Sequence, residues 1–549
     1  MTAQSQAAPG TQSAALHPAW LWGAAPDLLL GGGLVFLPVL ALLALAGEGI
    51  ELALPFGLMP LAMLAINGPH LGAALLRVYE RAEDRRRYRF FALHATLALA
   101  ALFLLGLRIP LLGSLLVTLY LTLVPWHFSG QNYGIALVFL RRRGIDPDAA
   151  EKRSLYLAFA LPYAMTLLGL HGGGVETVAP VDPSGTAYRF LALPLPGVFV
   201  EVALLGLAIA WAWALFDLTA RLRSRAALGA LVPAAAVLAS QALWFALPML
   251  LHFAPGGRDS FAPYSAARYG YTTLWISLSH AAQYLWITSY FAQRKTPSEG
   301  PARFFAKAWL AGAALYGAPL VLLSPAGLGS VPYDSGLLVM VAGALNLHHV
   351  LIDGAIWKLR SGPIARILIR GDAETDAPPA RSRRWLPAAI YASGALGALL
   401  TLLGSLEHEF GFRRASLRAD LPRLERAAER LTWLARADPA LWARIGTLRA
   451  ERGDLPGALE ALARSTALFP TATAWIDTGI VRERSGARAA ALEAFERALA
   501  LEPELPLALR HAGRAWLRAG DVARGSQLLA RADALEARGA AASGTRSER

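Results

Sequence analysis

The sequence predicts an all-α protein, a polytopic transmembrane bundle of about eleven helices followed by an α-solenoid of short helical repeats. Three observations carry this. The 549 residues are 55% hydrophobic and 17% charged, with a mean hydropathy of +0.41, which is too apolar for a water-soluble chain of this length. Apolar windows long enough to cross a bilayer recur from residue 28 to residue 404. Beyond Gly404 the composition turns to Ala, Leu, Arg and Glu with helical periodicity.

The windows that qualify as spans lie near 28 to 46, 52 to 76, 90 to 107, 110 to 140, 155 to 170, 198 to 216, 227 to 251, 271 to 291, 304 to 325, 334 to 357 and 385 to 404. Pro125 is positioned to kink the fourth. The segment before the first window, 1 to 27, carries no Lys or Arg, so it lacks the charged start of a secretory signal and the first window reads as a retained span. The net charge of +13 is spread between apolar runs and not gathered on one polar module, which argues against nucleic acid as a partner and for membrane orientation. Alternate loops hold 25 and 4 basic residues. The basic set belongs inside, which predicts a multi-pass protein of a bacterial inner membrane with a cytoplasmic N-terminus and a periplasmic C-terminal region. There is no cysteine, so disulfides, thiolate metal sites and cysteine nucleophiles are excluded.

After a connecting helix in 405–439, a repeat of about 33 to 34 residues runs over 440–537. Gly446, Gly479 and Gly513 align, as do Gly453, Gly486 and Gly520; so do Ala458, Ala491 and Gly525, and Leu462, Phe495 and Leu529. Pro470 and Pro503 close the first two units. This pattern resembles the tetratricopeptide repeat, and the resemblance implies antiparallel helix pairs and either a peptide or protein partner bound by the array or a structural or dimerising role for it. The remaining 538–549 is rich in Ala, Gly, Ser and Arg and reads as a disordered tail.

The candidate site lies in the apolar windows. Of eleven histidines, His70, His127, His280 and the pair His348 and His349 fall in the second, fourth, eighth and tenth spans. These spans run in the same direction under the loop assignment, and the distance to the next basic residue places the imidazoles roughly 10 to 21 Å from the inner surface. One intramembrane histidine is ordinarily interhelical glue; five in four codirectional helices point to a shared site. Asn67, Gly68 and Pro69 precede His70 and are expected to break its helix. Gln131 and Asn132 follow His127 by about a turn, and Gln283 and Tyr284 follow His280 at i+3 and i+4. Asn346, His349 and Asp353 share one helix face, so Asp353 is either a ligand or the acceptor that fixes the His349 tautomer, while His348 points about a quarter turn away. His94 reads as a local partner, and His171, His252, His408 and His511 are given no role.

Imidazole with one carboxylate and no sulfur suits iron first, with copper or zinc as alternatives; two of the imidazoles as axial ligands of haem b are the other option. Pro69-His70 and Trp126-His127-Phe128 resemble segments of the bacterial beta-carotene dioxygenase family. The resemblance covers short pieces of the second and fourth spans, implies iron held by His70 and His127, and does not extend to a carotenoid substrate. The leading expectation is an iron-dependent oxygenase or hydroxylase acting on a membrane lipid or isoprenoid. Two alternatives are a scaffold that recruits partners through its repeats and a lipid-linked glycosyltransferase. No phosphate-binding loop, dinucleotide fingerprint or nucleophile elbow is present.

Overall fold

A computed structural model describes residues 19–46, 55–80, 82–172, 188–265, 267–297, 299–358, 362–373 and 385–547. These are helices and loops, with no strand among the described residues beyond one isolated bridge between Gly172 and Leu195. Each of the eleven apolar windows forms helix. We number them α1 (Ala24–Gly31 and Phe36–Leu45), α2 (Met59–Tyr79), α3 (Phe90–Gly106), α4 (Pro110–Arg142), α5 (Ala149–His171), α6 (Gly197–Arg223), α7 (Leu228–Phe253), α8 (Tyr269–Lys295), α9 (Pro301–Leu322), α10 (Tyr333–Ile356) and α11 (Pro387–Leu417).

The expected count of eleven spans is too high. Eight of these helices are long and apolar enough to cross a bilayer, or nine if the two halves of α1, bent by 59°, count as one span. The two that fall short do so for different reasons. α3 is apolar but short. α8 is long, yet carries Ser277, Ser279, His280, Gln283, Tyr284 and Thr288 in its middle, because it is enclosed by other helices and not by lipid. α6 shows the reverse. Only 17% of its apolar window is buried, and Val198, Val202, Ile209 and Phe216 stand exposed along it. An outward apolar face around an inward polar one is the arrangement that lipid as solvent requires.

The bend in α1 follows from its glycines. Gly33 adopts φ +74°, and a side chain at Gly31 would collide with the ring of Trp286. The carbonyls freed at the break are taken up by neighbours, Gly32 O by the Ser240 hydroxyl (2.7 Å) and Gly31 O by the Gln283 amide (3.2 Å). An unpaired carbonyl in hydrocarbon costs several kcal/mol, so these two polar residues are what makes the break tolerable. The expected break before His70 is not a break. The chain widens into a π-helical turn at Met63–Asn67 and continues as helix from Gly68. α4 likewise runs unbroken through Pro125.

Past Gly404, α11 continues to Leu417 and is followed by α12 (Leu421–Trp433). Three helix pairs follow: α13 (Pro439–Glu451) with α14 (Leu455–Leu468), α15 (Ala472–Arg484) with α16 (Arg488–Leu501), and α17 (Pro506–Ala519) with α18 (Val522–Ser547). The two aligned sets of glycines do separate jobs. Gly453, Gly486 and Gly520 turn the chain between the partners of each pair at φ +87°, +83° and +94°. Gly446, Gly479 and Gly513 sit where any side chain would strike Leu462, Phe495 and Leu529 of the partner helix. The segment from 538, expected as a disordered tail, lies at the end of the last helix, which is assigned to Ser547; 548 and 549 lie outside the described residues.

Candidate metal centre

α2, α4, α8 and α10 bring four imidazoles together in the middle of the bundle. His349 Nε2 lies 2.9 Å from His70 Nε2 and 3.1 Å from His127 Nε2. The His280 ring stands 5.1 Å from the rings of both His70 and His127 and is stacked on Phe128 at 3.8 Å. Asp353 completes the group, its Oδ2 lying 3.4 Å from His349 Nε2 and 3.8 Å from His127 Nε2. His70, His280, His349 and Asp353 are buried, and the side chain of His127 is only 10% exposed. Two overlapping sets of three donors lie within 4.8 Å of one another: His70, His280 and His349, and His127, His349 and Asp353.

Hydrogen bonding alone does not account for this. A neutral imidazole presents one N–H and one lone pair, so the single Nε2 of His349 satisfies one neighbour and not two. Both ring nitrogens of His280 and the Nδ1 of His349 are buried without any protein hydrogen-bond partner. Nitrogen atoms 2.9 and 3.1 Å apart fit metal–nitrogen bonds of about 2.0–2.1 Å at angles of roughly 90–100°, as around a five- or six-coordinate ion. The donor set therefore fits a metal ion.

The surrounding residues orient these donors. The Asn67 amide donates to the Tyr316 hydroxyl (2.9 Å), which turns its oxygen toward His70 Nδ1 (3.0 Å). Asn67 thus accepts the Nδ1–H of His70 and leaves the Nε2 lone pair facing the cluster. Tyr284 donates to Asp353 Oδ1 (2.8 Å) and receives a hydrogen bond from the Trp357 indole (3.2 Å), so the carboxylate is held with Oδ2 toward the imidazoles.

Several predicted residues lie elsewhere. His348 is not in the cluster; its Nε2 meets Thr96 Oγ1 (2.9 Å) and Tyr79 OH (3.3 Å) on the other side of α10, because adjacent helical residues point about 100° apart. Asn132 is turned to Gln241 (2.9 Å), within a network that also holds Ser129. Asn346 touches no imidazole: it donates to the Ala342 carbonyl of its own helix (2.8 Å) and is hydrogen-bonded to Tyr316, which also holds Asn67. Gln131 reaches the His280 carbonyl (3.3 Å) and Gln283 (3.4 Å), and so supports the backbone of α8 and not an imidazole. Tyr316, Trp357 and the stacking of Phe128 were not singled out from the sequence. The i+4 spacing of Trp357 from Asp353 was the one available signal.

No family model matches the chain, and no curated protein matches it. The resemblance drawn on Pro69-His70 and Trp126-His127-Phe128 therefore rests on those residues alone. Among solved structures, one described as the crystal structure of MamA protein aligns with 28% of this chain and 83% of its own, at 20% identity and a TM-score of 0.21.

Proposed function

We propose that this chain is a membrane-embedded metal enzyme, with His70, His127, His280 and His349 as imidazole ligands and Asp353 as the carboxylate, acting on a lipid or isoprenoid from the bilayer. The observation that carries the reading is the approach of two other imidazole nitrogens to the single Nε2 of His349, at 2.9 and 3.1 Å. A donor set of imidazoles and one carboxylate without sulfur suits iron, with zinc or copper as the alternatives. The same closeness speaks against haem b, whose macrocycle lies between its axial imidazoles. Bound iron would supply oxygen activation and one-electron chemistry.

The protein's own residues set the conditions for that chemistry. Asn67 fixes the His70 tautomer, and Tyr284 with Trp357 aims the carboxylate. Phe128 stacks on the His280 ring and is itself backed by Trp244 and Phe245, which makes an apolar wall on that side of the site. Of the five ligands only His127 is not fully enclosed, its side chain keeping 10% exposure on the apolar helix α4. That favours an apolar substrate arriving sideways from the membrane over one arriving from solution.

The test is metal analysis and an optical spectrum of the detergent-purified protein, with His70→Ala, His127→Ala, His280→Ala and His349→Ala measured in parallel. Iron near stoichiometric in the parent, reduced in each variant and without a haem absorption band, is the expected result. Metal content unchanged across all four variants would end the proposal.

A further inference from the structure

A second group of metal-ligating side chains lies far from the four imidazoles, where the bundle meets the repeats. Asp334 opens α10, His408 lies on α11, and Asp438 caps the first repeat helix, α13. Their donor atoms all fall within 4.8 Å of one another. His408 Nε2 is 3.4 Å from Asp438 Oδ2 and 3.9 Å from Asp334 Oδ2.

These separations decide between two readings. A histidine serving as a hydrogen-bonded partner of a carboxylate sits about 2.7–3.2 Å from it, and His408 is farther than that from both. Ligands about 2.0–2.2 Å from a common ion stand roughly 3.3–3.6 Å apart at tetrahedral angles, and 3.4 Å falls within that range while 3.9 Å needs a small closure. The carboxylates are also fixed from behind. Asp438 Oδ1 accepts the backbone N–H of Ala440 (2.8 Å), leaving Oδ2 to face His408. Asp334 is gripped by Arg436 through both oxygens (2.9 and 3.0 Å), and Arg436 is itself seated over the Tyr333 ring. Oriented carboxylates with a free lone pair toward an imidazole are how supporting residues prepare a metal site.

We infer that Asp334, His408 and Asp438 bind a divalent transition-metal ion of the zinc class, which ties the start of α10, the end of α11 and the first repeat together. One imidazole and two carboxylates leave a fourth position for water. With both Asp residues ionised and Arg436 positive, the group carries a net charge of −1, which attracts a divalent cation. The inference is independent of the intramembrane centre.

The experiment uses the full chain in detergent, stripped with chelator and titrated with zinc, in a background of His70→Ala and His349→Ala that disables the intramembrane donors. The expected result is about one zinc equivalent per chain and a rise in the melting temperature of the protein on zinc addition; His408→Ala in that background abolishes both. Asp438→Asn keeps the helix cap, since Asn caps as well as Asp, and should weaken zinc binding by about tenfold or more. Zinc stoichiometry and melting shift that are the same with and without His408 would overturn the inference, and so would unchanged zinc affinity in Asp438→Asn.

Discussion

The seam of α2, α9 and α11 in the bundle and the repeat array both rely on glycine for close packing, but they use it in opposite ways. In the bundle, α9 is wedged between α2 and α11 with small residues against small residues. A methyl added at Gly72 would meet the Ala308 carbonyl, one at Gly312 the backbone of Gly68, and one at Gly317 the backbone of Gly397. In the array, glycine faces a large side chain: Gly446 faces Leu462, Gly479 faces Phe495, and Gly513 faces Leu529. The difference follows from solvent. In lipid, burying a Leu against another helix gains little over leaving it in acyl chains, so helices associate by bringing backbones together. In water, the array gains by inserting a large apolar knob into the space that a missing side chain leaves.

The comparison breaks most visibly at Gly312. Gly312→Val places a branched side chain against backbone, which cannot rotate out of the way. We expect destabilisation beyond about 4 kcal/mol and loss of a monodisperse species after detergent extraction. Gly479→Ala meets only the Phe495 ring, which shifts, at a cost of about 1–3 kcal/mol read in thermal melts. If Gly312→Val stayed monodisperse with an unshifted melting temperature, the backbone contact of α2 and α9 would not be what holds the bundle.

A second difference concerns polar groups, and it turns on one pair of neighbours. His349 faces the cluster, while His348 is spent on Thr96 and Tyr79. His349→Ala is expected to remove most of the bound metal, and His348→Ala to leave it within error, by elemental analysis of the same preparations. Equal losses from the two variants would mean that α10 is rotated relative to the description given above.

That pair also marks how far the sequence could be read. Hydropathy located all eleven helices, because lipid contact is a property of composition over a window. It overcounted spans where composition and environment part company, as in α8, whose polar middle is enclosed by protein. The periodicity of α10 put Asn346, His349 and Asp353 on one face, and His349 and Asp353 do meet there, whereas Asn346 reaches the site only through Tyr316 and Asn67. Whether a side chain on the correct face reaches the site depends on the neighbouring helix, which no single-helix pattern contains. Asp334, His408 and Asp438 were illegible for the same reason. They come from three segments with no shared period, and only the turn around Ala435, held at φ 58°, swings Arg436 and Asp438 toward the bundle.

The smallest effect separates a buried carboxylate from a half-buried one. Asp353 in the bundle is met by Tyr284 and by imidazoles, whereas Asp477, in α15 of the array, has no ion-pair partner among the described residues. Burial raises the carboxyl of Asp477 above its ordinary value. The folded array therefore holds that proton more tightly than the unfolded chain does, and stability falls as pH rises from the unfolded carboxylate range through the folded value. Asp477→Asn removes the penalty. Its melting temperature should exceed that of the parent on the order of 1–2 °C at pH 8 and match it below about pH 4, where both forms are neutral. A difference that persisted unchanged at low pH would trace the gain to packing of the amide and not to the desolvated charge, and the contrast with the partnered carboxylate of the bundle would lose its electrostatic basis.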